Sequence, residues 1–150
     1  MALKVGDKVP NFTSVDTNGN EFKSQDYLGK QWIVLYFYPK DDTPGCTAQA
    51  CGFRDSYQDF KELGAEVIGV SSDSTASHLS FKKKFNLPFI LLSDTNKKIR
   101  NLFGVPNDFF GLLPGRSTYV INEQGIIKMI FDSVTAKAHI TKALEMLKKR

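Results

Sequence analysis

The sequence predicts an α/β fold in which a central mixed β-sheet is flanked by helices. Apolar runs rich in β-branched and aromatic residues alternate with helical patterns through the middle of the chain, and a hairpin pattern lies near each end. Alternating strands and helices imply parallel neighbours, whereas a hairpin implies an antiparallel edge. The whole chain, residues 1–150, is expected to form one domain.

The first predicted elements are an N-terminal β-hairpin and a buried strand. Asn18-Gly19 is a strong turn signal between short strand patterns at 12–15 and 21–22. Residues 32–38 form a continuous apolar run, which is typical of a central strand buried on both faces. Pro39 ends this strand because proline cannot donate to a strand ladder.

The remaining elements follow from periodicity and from residues that begin and end helices. Thr43 is a capping residue type, Pro44 follows at the first helical position, and Gly64 ends the same helix. Further helices are predicted at 75–85, 96–103 and 135–149, strands at 66–71, 89–92, 117–121 and 126–131, and a loop at 104–115.

The charge pattern does not favour nucleic-acid or membrane binding. The net charge of +4 collects in basic runs at 82–84, 97–98 and 148–150, of which the first and last fall on solvated helix faces. No nucleic-acid-binding motif accompanies them, and no apolar run approaches the ~18 residues of a membrane span. With no signal-peptide pattern, we expect a cytoplasmic protein, or a protein of the plastid stroma or lumen if a transit peptide has been removed.

Cys46 and Cys51 are the only cysteines, and their position indicates redox chemistry. In a reducing compartment a closely spaced pair is more often catalytic or metal-binding than structural. Cys46 falls at the third position of the helix after Thr43, where free N–H groups and the helix dipole stabilise a thiolate. We therefore expect Cys46 to be reactive. The Thr43 hydroxyl either caps the helix or bonds an incoming oxygen atom.

The charged residues near Cys46 act in opposite directions. Asp41 and Asp42 would oppose a thiolate unless they point away or a cation outweighs them, and a solvated turn is the simpler interpretation for both. Arg54 and Arg116 are the candidate cations. The pattern alone leaves both open, although Asp55 gives Arg54 a surface partner.

Cys51 needs a local change of structure to reach Cys46. Five helical residues separate their Cα atoms by roughly 8.6 Å, whereas a disulfide needs about 7 Å or less. A disulfide therefore requires the helix to unwind between Thr47 and Ala50, and Gly52 weakens the helix there.

A metal site is a competing use of the two cysteines. Structural zinc takes about four ligands, with cysteines about two to four residues apart. The spacing here is wider, and only His78 and His139 could complete a set. We expect both histidines to have surface or packing roles and no metal to be bound. The pair also differs from the Cys-x-x-Cys of thioredoxin-type proteins.

A reactive thiolate with a second thiol nearby can reduce peroxides. The thiolate attacks the O–O bond to give a sulfenic acid, which the second thiol converts to a disulfide. Two alternatives use the same residues: a disulfide oxidoreductase acting on protein thiols, and a two-thiol redox sensor whose oxidation melts the helix. The residue pattern alone leaves these alternatives open.

The segment around Cys46 resembles the active-site signature of the peroxiredoxins. The matching residues are Pro39-x-x-x-Thr43-x-x-Cys46, and the longer stretch 38–55 resembles the peroxiredoxin Q and bacterioferritin comigratory protein subfamily of the AhpC/TSA superfamily. The resemblance covers essentially the whole chain, with further agreement at 6–12, 67–71, 91–94 and 115–121, and with 105–116 more similar to the plant and cyanobacterial branch.

The resemblance implies a thioredoxin-like fold and roles for five residues. It implies that Cys46 is the peroxidatic cysteine and Cys51 the resolving cysteine. Pro39 would shield the thiolate, and Thr43 would hydrogen-bond the peroxide. Arg116, rather than the other arginine, would supply the positive charge.

The activity implied by the resemblance is thiol-dependent reduction of hydrogen peroxide and organic (alkyl) hydroperoxides, in antioxidant defence and cell redox homeostasis. The cysteine pair would form an intramolecular disulfide, which thioredoxin or a similar dithiol protein would reduce. The resemblance further implies a monomer with no metal or organic cofactor. The apolar stretch 109–113 is expected to fold over the site or pack on the core, with partner docking as the alternative.

Overall fold

The structure, a computed structural model, describes residues 2–105, 107–108, 113–114, 116–133 and 135–150. The strands within these residues are β1 Thr13–Val15, β2 Glu21–Lys23, β3 Trp32–Phe37, β4 Ala65–Ser71, β5 Ile90–Ser93, β6 Asn107–Asp108, β7 Leu113–Pro114, β8 Ser117–Ile121 and β9 Ile127–Asp132. The helices are α1 Pro44–Asp55, α2 Tyr57–Glu62, α3 Thr75–Phe85, α4 Lys98–Phe103 and α5 Ala136–Lys149. None of these helices combines the length and the apolar character that crossing a membrane requires.

Seven strands form one mixed sheet in the order β2-β1-β5-β4-β3-β8-β9. β3, β4 and β5 are parallel neighbours, and the β1–β2 hairpin joins β5 in the antiparallel sense. β8 and β9 continue the sheet antiparallel beyond β3. The predicted α/β class, with a mixed sheet and an N-terminal hairpin, is therefore confirmed.

β3 lies near the centre of this sheet and is buried along its whole length. Val34 and Tyr36 pack in a core that includes residues of α1, α2, α3 and α5. Leu35 and Phe37 pack on the opposite face, in a core that includes the N-terminal hairpin and α4. Burial on both faces agrees with the continuous apolar run of the sequence. Because β3 is packed on both faces, the segment that leads from its C-terminal end to Cys46 starts from a fixed position.

The predicted first helix is interrupted at one residue, so the single-helix prediction is wrong in this detail. Ser56 has φ −101° and ψ 5°, and it separates α1 from α2. Phe53 and Phe60, one from each helix, are fully buried with ring centroids 5.7 Å apart. Helical spacing of the aromatic residues continues across the break, which is why the sequence pattern did not reveal it.

The predicted loop at 104–115 contains a short strand pair. β6 and β7 are antiparallel, with Asn107 opposite Pro114 and Asp108 opposite Leu113. The apolar stretch 109–113, considered as a cover or a docking loop, lies outside the described residues except for its last position.

The C-terminal helix α5 packs against the helix that carries both cysteines. The close approach occurs at Gly52, where a Cβ atom would lie 2.9 Å from Ile140 Cδ1. After α5, the guanidinium of Arg150 lies over the ring of Trp32, 5.3 Å from its centroid. The last residue of the chain is thus held against β3.

Candidate active site

Cys46 lies at the third position of α1, as the sequence predicts. Cys46 is 2% exposed, and both cysteines are free thiols. Thr43 precedes the helix in an extended conformation (φ −97°, ψ 156°), and Thr47 N–H donates the first helical hydrogen bond to Thr43 O at 2.8 Å. The sulfur is therefore near the positive end of the helix dipole.

Thr43 does not cap α1 through its side chain. Its hydroxyl instead donates to the carbonyl of Lys40 at 2.9 Å. The capping interpretation is therefore wrong for the side chain, although Thr43 does occupy the cap position. Because a hydroxyl that donates can still accept, Thr43 Oγ1 retains lone pairs for a ligand.

Arg116 is the cation that reaches Cys46. Its Nη2 atom lies 3.5 Å from Cys46 Sγ. The register of β3 and β8 pairs Phe37 with Ser117, so Arg116 lies beside the end of β3. A Cβ atom at Gly45 would lie 3.0 Å from Nη2, so the missing side chain makes room for the guanidinium.

Gln49 is a buried polar residue of the site that the sequence analysis missed. It is 0% exposed, and its Oε1 accepts a hydrogen bond from Arg116 Nη1. Among the described residues its Nε2 has no hydrogen-bond partner. Its spacing of three residues from Cys46 places both side chains on one face of α1, and that spacing was the signal available in the sequence.

Arg54, Cys51 and Pro39 are the remaining predicted site residues. Arg54 donates to Asp55 Oδ1 at 3.0 Å and to the carbonyl of Phe85 at 2.8 Å, in agreement with a surface ion pair. Cys51 is half-buried on α1, and Pro39 is half-buried at the end of β3. The structure thus brings Cys46, Arg116 and Gln49 together, with Cys51 on a later turn of α1.

Asp41 is not the solvated turn residue that the sequence suggests. It is buried, and its carboxylate accepts hydrogen bonds from Tyr38, Ser77 and His78. Asp42 is exposed, as expected, and pairs with Lys84 Nζ at 2.9 Å. The prediction of a solvated turn therefore fails for Asp41, because the turn packs against α3.

Both histidines are buried, so the packing role holds and the surface role, the other one expected, does not. His78 contacts Asp41 and a carbonyl of β5. His139 Nδ1 lies 2.7 Å from Thr118 Oγ1, and its Nε2 lies 2.8 Å from Ser133 O. Burial lowers the pKa of His139, because desolvation disfavours the imidazolium form.

The metal-capable group found among the described residues does not include the cysteines. It consists of Asp41, Asp73 and His78, whose ligand atoms lie within 4.8 Å of one another. Asp41 Oδ2 already accepts from His78 and Ser77, and Asp73 Oδ2 accepts from Asp41 N and Ser71 Oγ. Protein donors therefore satisfy these oxygen atoms.

The fold and the site together define a thiol protein in which a cysteine at a helix N-terminus faces a guanidinium within an α/β sheet structure. A thiolate in this setting is a nucleophile whose negative charge is stabilised before it reacts.

Comparison with known proteins identifies the family. The pattern of the AhpC/TSA family matches residues 5–130. A chloroplastic peroxiredoxin Q of Arabidopsis thaliana is 51% identical over 144 residues, which are 95% of this chain and 66% of that protein. A chloroplastic peroxiredoxin Q of Oryza sativa subsp. japonica is 50% identical over 143 residues, 95% of this chain and 65% of that protein.

Solved structures agree with this match. The peroxidoxin BcpB of Mycobacterium tuberculosis superposes with a TM-score of 0.90 at 33% identity, covering 98% of this chain and 97% of that one. A mutant of Xylella fastidiosa PrxQ gives 0.91 at 31% identity, covering 99% and 98%. The predicted thioredoxin-like fold of the peroxiredoxins is thus confirmed. The chain belongs to the AhpC/TSA family, in its peroxiredoxin Q and bacterioferritin comigratory protein branch.

Proposed function

We propose that this chain, acting as one domain over residues 1–150, is a thiol-dependent peroxidase with Cys46 as its nucleophile. The observation that carries the proposal is the 3.5 Å contact between Arg116 Nη2 and Cys46 Sγ at the N-terminus of α1. The similar chloroplastic proteins are named peroxiredoxin Q, and the chain spans 65% of the length of the rice relative.

In the first step the Cys46 thiolate attacks one oxygen of a hydroperoxide. The S–O bond forms as the O–O bond breaks, and the leaving oxygen takes up a proton to depart as water or an alcohol. The sulfur is oxidised to a sulfenic acid and the peroxide is reduced. Arg116 stabilises both the thiolate and the charge that develops on the leaving oxygen.

Thr43 and Pro39 complete the site in this proposal. Thr43 Oγ1, which donates to Lys40 O, uses a lone pair to accept the O–H of the peroxide. Pro39 lies at the end of β3, where its ring limits the access of water to the thiolate. Hydrogen peroxide and small organic hydroperoxides are the proposed substrates.

Cys51 resolves the sulfenic acid in the second step. Its sulfur attacks Cys46 Sγ, a disulfide forms and the sulfenic oxygen leaves as water. α1 must unwind locally, because an intact helix holds the two Cα atoms roughly 8.6 Å apart. Gly52, which follows Cys51, lowers the cost of this opening.

A dithiol protein such as thioredoxin then reduces the disulfide by thiol–disulfide exchange. We propose that the chain works as a monomer without a metal or organic cofactor. The reaction suits a reducing compartment, either the cytoplasm or a plastid; the plant relatives are named chloroplastic.

Two variants test the proposal. Cys46→Ser should abolish peroxide consumption, and Cys51→Ser should keep one rapid oxidation but fail to recycle with thioredoxin. Full turnover by Cys46→Ser would overturn the mechanism. Insulin disulfide reduction without peroxide would favour a disulfide oxidoreductase, and stoichiometric oxidation without turnover would favour a two-thiol sensor.

A further inference from the structure

The loop between β3 and α1 is held against α3 by two buried ionisable residues. We propose that Asp41 and His78 are positioning residues, which fix this loop so that Cys46 meets Arg116 in the geometry needed for attack on peroxide. The inference rests on the proposed function of Cys46 and concerns residues that take no part in the chemical steps.

The Asp41 carboxylate is enclosed by hydrogen-bond donors. Its Oδ1 accepts from the Tyr38 hydroxyl at 2.6 Å, and its Oδ2 accepts from Ser77 Oγ at 2.8 Å and from His78 Nδ1 at 2.6 Å. The side chain is 3% exposed. Three hydrogen-bonding side chains on two buried oxygen atoms hold this carboxyl group in one position.

His78 links this carboxylate to the sheet. Its side chain is 0% exposed, and Nε2 lies 2.9 Å from the carbonyl oxygen of Leu92 in β5. A carbonyl can only accept, so Nε2 donates to Leu92 O, while Nδ1 shares a hydrogen bond with the Asp41 carboxyl group. The ring therefore joins Asp41 to β5.

The loop itself depends on this attachment. The Asp41 N–H donates to Asp73 Oδ2 at 2.8 Å, and the next residue, Asp42, has a left-handed φ of 58°. Such a conformation is strained in a non-glycine residue and persists where the surroundings enforce it. Thr43 follows immediately and begins α1.

The position of the loop matters because the two reacting partners stand on different elements. Cys46 is carried by α1, whereas Arg116 is placed by β8 and held by Gln49. The loop that starts α1 therefore sets the distance between Sγ and the guanidinium. A displacement of about 1 Å can change a rate by up to about a hundredfold.

Two amide substitutions test the two hydrogen bonds of His78 separately. The amide nitrogen of asparagine takes the place of Nδ1, and that of glutamine takes the place of Nε2. His78→Asn therefore keeps a donor to Asp41, and His78→Gln keeps a donor to Leu92 O. We expect His78→Gln to lower the second-order rate constant with hydrogen peroxide by about tenfold or more, and His78→Asn to stay within about twofold of wild type.

The measurement is rapid mixing with hydrogen peroxide, an alkylating quench and mass spectrometry of Cys46, beside urea unfolding of each variant. A merely structural role would lower the stability of both His78 variants without separating their rates. Equal rates for the folded variants would overturn the inference.

Asp41→Asn provides a second test, because it keeps the shape of the side chain and removes its charge. We expect it to react as slowly as His78→Gln. The control is Lys84→Gln, which breaks the exposed ion pair with Asp42 between the same loop and the same helix and should leave the rate unchanged. A wild-type rate for Asp41→Asn would overturn this inference alone, whereas a wild type that consumes no peroxide would overturn the proposed function as well.

Discussion

Gly45 and Arg116 share one space: a Cβ atom on Gly45 would lie 3.0 Å from Arg116 Nη2. The atom it would displace is the far end of a flexible side chain, so the fold can accommodate the change while the guanidinium moves. The same Nη2 contacts Cys46 Sγ. A side chain at position 45 should therefore lower the reaction rate without lowering the stability of the fold.

Gly45→Ala should therefore slow the reaction of Cys46 with peroxide by about tenfold, since the displaced guanidinium stabilises developing charge less well. Its free energy of unfolding should stay equal to that of wild type or rise, because alanine favours helix. Stopped-flow oxidation and urea unfolding give the two quantities. Ala48→Ser, an exposed change on the same turn, is the control, and an unchanged rate for Gly45→Ala would contradict the prediction.

Replacing Arg116 should have a larger effect. Arg116→Gln removes the charge beside Sγ, and we expect the rate constant for peroxide to fall by about a hundredfold or more. Arg116→Lys should recover little of this rate, because two separate guanidinium nitrogens reach Gln49 and the sulfur, and the single nitrogen of lysine on its shorter side chain does not reproduce this geometry. Arg54→Gln is the matched control, since Arg54 bonds Asp55 and a carbonyl of α3. A slow Arg54→Gln beside a fast Arg116→Gln would reverse the assignment.

The contact of Gly52 with Ile140 predicts a coupling between α1 and α5. Alanine at 52 should stabilise the helix by about 1 kcal/mol, but its Cβ would lie 2.9 Å from Ile140 Cδ1, and overpacking costs about 1 to 3 kcal/mol. We expect Gly52→Ala to destabilise the wild type more than an Ile140→Val background, which lacks Cδ1 and keeps only the Cγ1 contact at 3.2 Å. Urea unfolding of the four proteins measures the coupling. Additive effects would mean that the contact relaxes without cost.

His139 should make stability depend on pH. Burial lowers its pKa below the ordinary value of about 6.5, so between the two values the unfolded chain binds the proton and the folded protein does not. The contribution is complete above about pH 6.5 and is lost as the pH falls towards the lowered value, at up to about 1.4 kcal/mol per pH unit.

The His139→Gln variant checks this dependence. Its amide nitrogen can still donate to Ser133 O, but the side chain cannot titrate. We expect the free energy of unfolding of wild type to fall more steeply than that of the variant as the pH drops below about 6.5. Parallel curves from urea titrations would contradict the prediction.

The sequence predicted elements whose local signals agree with their packing. α3 matches the predicted bounds 75–85, and β8 matches 117–121. The break between α1 and α2 at Ser56 is not predicted by the pattern, because the aromatic residues keep their helical spacing across it. Such a break depends on how two helices meet a common core, which local propensity does not contain.

The candidate site also contains residues whose positions follow from local sequence and residues whose positions do not. The position of Cys46 in α1 follows from local residues, but the choice of Arg116 over Arg54 came from family resemblance and depends on the register of β3 and β8. The contacts of Asp41 and His78 are not predictable from local sequence, because Ser77, His78 and Leu92 are distant from their partners along the chain. Only the packed structure shows that Asp41, in a surface-like Asp-Asp turn, is a buried hydrogen-bond partner of His78.

The contact between Trp32 and Arg150 gives the protein an optical reporter of its own. Trp32 is the only tryptophan of the chain, and the residue over its ring ends the helix that packs on Gly52. An opening of α1 that loosens α5 moves Arg150, and with it the positive charge above the indole ring of Trp32. The emission of the unlabelled protein should therefore follow the proposed redox cycle in real time.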